Sequence, residues 1–233
     1  TQQQGQPPEG ITPHKYLRAN RINPTEVAYA EEVEQLMPRA VGGEIPAQLR
    51  IAAIQRDGLT GTVDGLAAFR WFEKAARKGS IPGQFGLGGL YAEGLGVRRD
   101  YVRAAEWYRA AGGLGRYPDA QYALGELYFY GRGVPHNSRN AEQWYQRAAA
   151  QGHPAAQFLL GAIYEKGWGV QADVVEAYAW YRLSAEDLDR LHRHLPDAFP
   201  NRELDRLEES LSRLQLRNAT ALFERRRGRG RKR

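Results

Sequence analysis

The side chains of this 233-residue chain that could do chemistry are its histidines, its serines, one run of glycines and an arginine-rich end. Of His14, His136, His153, His192 and His194, only the last two are close in sequence. A spacing of two puts them on different faces of a helix, whereas a helical metal pair needs three or four. The histidines are therefore read as solvated loop and helix-surface residues, and no metal or cofactor is expected. The run Gly83-Gln84-Phe85-Gly86-Leu87-Gly88-Gly89 has the glycines of a phosphate loop but no Gly-Lys-Ser/Thr and no preceding strand, so it carries no nucleotide-binding signal. Asn218-Ala219-Thr220 matches a glycosylation sequon, relevant only in a eukaryotic secretory setting. With no cysteine, disulfides and thiolate metal sites are excluded.

The charge is concentrated. The formal net charge is +6, and Arg225, Arg226, Arg227, Arg229, Arg231, Lys232 and Arg233 supply seven positive charges with no acid among them. The other 224 residues thus sum to −1 (+6 less 7), so the basicity is a tail and not a face. Such a tail can bind nucleic acid, an anionic membrane or an acidic protein, although no aromatic is interleaved for base stacking. A solubilising end is the plain alternative.

The elements that must carry these residues follow from a repeat. Trp71, Trp107, Trp144 and Trp180 are 36, 37 and 36 residues apart, and Gly58, Gly94, Gly131 and Gly167 keep the same intervals. Two independent markers with one period of this length indicate stacked helix–turn–helix units. Seven residues before each Trp stand Asp64, Asp100, Asn137 and Asp173, each suited to cap a helix N-terminus. Eight residues after it stand Gly79, Gly115 and Gly152, suited to the left-handed C-terminal position. Pro46, Pro82, Pro118 and Pro154 open the first helix of each unit, and the periodic glycines close it. The three later tryptophans are expected to pack between helices.

This pattern, best seen in Ala120-Gln121-Tyr122-Ala123-Leu124-Gly125, Tyr128, Gly131-Arg132-Gly133 and Trp144-Tyr145, resembles Sel-1-like repeats, relatives of the tetratricopeptide repeat. The resemblance covers about residues 46–187, with an atypical first copy in which Ala52, Gln55 and Thr60 replace Gly, Tyr and Gly. It implies an all-α fold, a right-handed superhelical solenoid of about four repeats. It also implies a non-enzymatic adaptor or scaffold for protein–protein interactions, with the assembly or regulation of a bacterial envelope complex as the expected role. Some proteins of this type are linked to β-lactam binding or hydrolysis. That alternative is disfavoured here, because none of Ser80, Ser138, Ser184, Ser210 or Ser212 has the lysine of a Ser-x-x-Lys motif. Polyanion binding through the tail is the other alternative. From the tetratricopeptide geometry, the first helices line a concave groove for a partner segment, placing Phe85, Tyr122 and Phe158 in one row. Further rows take in Glu93, Phe129, Tyr130, Glu165 and Lys166, with Glu126 beside them; the first row has interhelical packing as its alternative.

Outside the repeats, residues 1–22 are read as a flexible polar leader of the kind that tethers a periplasmic protein, with a cytoplasmic setting as the alternative. Residues 23–45 give an N-terminal helix, capped by Asn23 and ending before Pro38, followed by a connection. Residues 188–224 form a helical cap. There the last repeat helix is expected to run on through Leu188, Leu191 and Leu195 to Pro196. Asn201 then caps one long helix bearing Leu204, Leu207, Leu211 and Leu214. That stripe either covers the end of the stack or pairs in a coiled coil. Residues 225–233 are the basic tail.

Overall fold

The computed structural model describes residues 23–114 and 117–230, and every regular element among them is an α-helix. The helices are α1 (Pro24–Val41), α2 (Ile45–Arg56), α3 (Gly65–Arg77), α4 (Ile81–Glu93), α5 (Tyr101–Leu114) and α6 (Pro118–Tyr130). They continue with α7 (Ser138–Ala149), α8 (Pro154–Lys166), α9 (Val174–Ser184), α10 (Leu188–His194), α11 (Pro200–Ser210) and α12 (Arg213–Gly230). The chain divides into two compact units, Thr1–Arg99 and Asp100–Arg233. The expected leader, 1–22, lies outside the described residues, as do Arg231, Lys232 and Arg233.

The boundaries fall where the caps require. Asp64, Asn137 and Asp173 accept hydrogen bonds from the free amides of Ala67, Asn140 and Glu176, and Asp100 accepts from Val102 and Arg103. Gly94, Gly131 and Gly167 end α4, α6 and α8 with φ near +70°. The second glycine of each loop answers a different need. A Cβ on Gly133 would lie 2.2 Å from the backbone of Tyr101, and one on Gly169 would lie 2.5 Å from Ser138. Each loop therefore seats on the start of the preceding repeat's second helix, and only glycine fits there.

In three of the four repeats, those that open with α2, α6 and α8, a buried glutamine joins the first helix to the helix before it. Gln121 donates to the Gly112 carbonyl at 2.9 Å and Gln157 to that of Ala149 at 3.2 Å. In the first unit Gln48 donates in the same way to Ala40, at 2.9 Å. α1 thus takes the place of a second helix of a preceding repeat. It also runs through Pro38 to Val41, against the expectation that it would stop there, and Asn23 caps it as expected.

Three further expectations are corrected. Trp71 and Trp180 are buried, but Trp107 and Trp144 are only half-buried, and the aromatic after each Trp is the core residue: Phe72, Tyr108, Tyr145 and Tyr181. α9 does not run on to Pro196. It stops at Ser184, and Asp187 caps the separate helix α10 through the Arg190 amide. The leucine stripe is not one helix either: α11 starts at Pro200 and ends at Ser210, and Leu211 is extended. Ser212 and Gln215 then open α12 as a reciprocal capping box. Leu207 is buried against Ala177, Tyr178, Tyr181 and Ala219, whereas Leu214 is exposed, which breaks any continuous seam.

Candidate functional site

Two of the exposed aromatic side chains, Tyr130 and Trp168, meet at the loops that close α6 and α8, whereas exposed Phe199 stands apart before α11. Tyr130 is 57% exposed and Trp168 44%. Phe129 lies between them, edge-on to Tyr130 at 5.2 Å and tilted to Trp168 at 5.5 Å, with His136 6.5 Å away. The His136 Nδ1 meets the Phe129 carbonyl at 2.7 Å, which holds the loop against the helix end. Exposed Arg132 covers the Tyr130 face at 4.9 Å and approaches that of Tyr101 at 5.8 Å. Keeping large rings in water forfeits roughly 25 cal/mol per Å² of burial. A ring cluster left uncovered beside a cation has the composition of a protein-binding surface.

Trp168 was missed by the sequence reading because it lies outside the 36- and 37-residue intervals of the other tryptophans. Its signal was the middle position of Gly-x-Gly. There the repeat places Leu95, Arg132 and Trp168, so packing does not dictate the type.

The other expected groove residues separate. In the first unit, Phe85 is half-buried and Glu93 is exposed, its carbonyl accepting from Arg99. Tyr122 is 5% exposed, so burial removes it from any partner's reach; its ring stacks on His153 at 4.7 Å. Phe158 is half-buried and packs on Tyr181 at 5.2 Å, which is the interhelical alternative. Glu126 accepts from the Tyr122 hydroxyl, and burial pushes its carboxyl above the ordinary range despite that hydrogen bond and nearby Arg132. Burial likewise raises the Tyr122 hydroxyl.

Glu165 is not a groove charge. Its side chain is 7% exposed, paired with Lys166 at 2.6 Å and Arg206 at 2.7 Å, and accepts from the Tyr181 hydroxyl. Burial pushes this carboxyl up, but the hydrogen bonds from Lys166 and Arg206 outweigh it and hold it below its usual value. Glu165 therefore ties α8 to α11, while Lys166 stays exposed.

The basic end is also corrected. Residues up to Gly230 belong to α12, and two of its arginines turn inward. Arg226 pairs with Glu176 at 2.7 Å and lies 4.0 Å over the Trp180 ring, and Arg227 pairs with Glu186 at 2.5 Å. Arg225 is exposed, and the backbone of Arg229 is helical. What the sequence presents as one charge run is in part the fastening of a helix.

His153, expected in solvent, is fully buried.

A Sel1 repeat family model matches residues 45–80, 81–115, 118–153 and 154–187, more than half of the chain. Among solved structures, a protective antigen displaying an SLR fold, present in uropathogenic Escherichia coli strains, is 38% identical over 66% of this chain and 33% of its own length, with a TM-score of 0.63. A Sel1 repeat protein from Oxalobacter formigenes is 35% identical over 62% of this chain and 58% of its own, with a TM-score of 0.58. The chain therefore spans less than two thirds of either protein. No curated protein matches it.

Proposed function

Because the chain belongs to the Sel1 repeat family, whose members are generally protein–protein interaction scaffolds, we propose that it is a non-enzymatic adaptor whose partner docks on the edge formed by Phe129, Tyr130, Arg132 and Trp168. The observation that carries this reading is the exposed ring cluster at two successive loops, where the repeat itself demands no aromatic. Aromatic and arginine side chains dominate binding hot spots, and rings fixed against one another lose little entropy on docking. The setting in this proposal is a bacterial envelope complex. No described helix is long and apolar enough to cross a membrane.

The test is a Tyr130→Ala/Trp168→Ala double variant, both positions being exposed. Its melting temperature should stay near that of the wild type, while capture of partners from the native host falls at least tenfold. Undiminished capture by the folded variant would move the interface elsewhere. Fractionation of the host cells checks the setting, and recovery with cytosolic markers alone would refute it.

A further inference from the structure

Away from the aromatic edge, three side chains distant in sequence converge: Asp119 in the first turn of α6, His153 capping α8, and His194 at the end of α10. One donor atom from each lies within 4.8 Å of the other two. Nε2 of His153 is 3.5 Å from Oδ1 of Asp119, and Nε2 of His194 is 3.7 Å from the same oxygen. These gaps exceed the roughly 2.9–3.0 Å of an N–H···O hydrogen bond. They approach the roughly 3.3–3.4 Å that separates donors around a tetrahedral ion with bonds of about 2.0–2.1 Å. The His153 side chain is fully buried, and its Nε2 makes no hydrogen bond, an arrangement that a folded chain rarely leaves unanswered.

We propose that Asp119, His153 and His194 form a binding site for a divalent transition-metal ion of the zinc class. Two imidazoles and one carboxylate suit that ion, and they leave a fourth position for water. The Asp119 and His194 side chains keep 30% and 28% exposure, so an ion can enter from that side. The site is partly built in advance. Tyr122 stacks on the His153 ring with planes 12° apart, and Nδ1 of His153 accepts from the Ala156 amide at 3.2 Å.

That cap sets a cost. While Nδ1 accepts, the ring proton sits on Nε2, and an ion binding there moves it to Nδ1, against the Ala156 N–H. The cap hydrogen bond is then lost, which lowers affinity on the order of tenfold. A three-ligand site exceeds that by many powers of ten. The ligands come from the start of the third repeat, its junction with the fourth and the helix that follows the fourth. The ion would therefore act as a staple holding α10 to α6 and α8.

The test uses the full chain, stripped with a chelator and titrated with Zn²⁺ alone. We expect one ion per chain by calorimetry and a melting temperature that rises with zinc, since an ion bound by the native state alone stabilises it. His194→Ala and Asp119→Asn should each weaken binding at least tenfold and remove the rise. Co²⁺ should give the visible absorption of a tetrahedral site in the wild-type chain, a readout independent of how any variant folds. Absence of saturable binding overturns the proposal. So does binding unchanged in His194→Ala, which would place the ion at other histidines, or a cobalt spectrum of octahedral form.

Discussion

Tyr145 lies so close to Gly125 that a Cβ there would come within 2.6 Å of its ring, while neighbouring Trp144 stays half-exposed with Arg147 4.4 Å over its face. Truncating the two rings should therefore have unequal effects. Tyr145→Ala should cost about 3–5 kcal/mol in urea unfolding, and Trp144→Ala about 1 kcal/mol. Equal losses would contradict this division of the aromatic pair. Glu126 gives a prediction with a defined pH sign. Its carboxyl is raised in the folded state, so above the ordinary carboxylate value the folded chain holds the proton more tightly than the unfolded chain does. Stability must then fall as pH rises through that window. Glu126→Gln removes the charge yet keeps an oxygen to accept from Tyr122. The variant should melt higher than wild type at pH 7, and the gap should close toward pH 4. A variant that melts lower at pH 7 would show that the charge itself is stabilising.

At the level of elements, the C-terminal helices are fixed by polar contacts as much as by leucines. Arg226 reaches Glu176 and Trp180 on α9, Arg206 on α11 reaches Glu165 on α8, and the Tyr178 hydroxyl on α9 donates to Glu208 on α11. A partly buried arginine with both an ion pair and a ring beneath it contributes more than a surface pair does. Arg226→Ala should accordingly destabilise the protein by about 1–2 kcal/mol, and exposed Arg225→Ala by less than about 0.5 kcal/mol. Thermal melts of the two variants check this directly. If both behave alike, the end of α12 contributes only charge.

For the whole molecule, repeats need covered ends, and α11 and α12 bury Ala177, Tyr178 and Tyr181 beneath Leu207 and Ala219. Deleting residues 201–233 should expose that surface and produce aggregates in light scattering; a monodisperse, folded product would show that these helices are dispensable. The period, the caps and the helix count of the repeats were legible in the chain alone, because each is set by contacts a few residues apart. Asn, Asp, Pro and Gly act on their own turn, and a spacing of 36 or 37 residues needs no knowledge of the third dimension. The exposed edge was half legible: Phe129 and Tyr130 stood out, while Trp168 was hidden behind its glycines. What only the tertiary structure decided is which long-range partners each side chain meets. It separated buried Tyr122 from exposed Tyr130 and turned Arg226 inward from an apparent tail. It also brought Asp119, His153 and His194 together from three helices, since convergence across 75 residues depends on how helices stack and leaves no local pattern in the sequence.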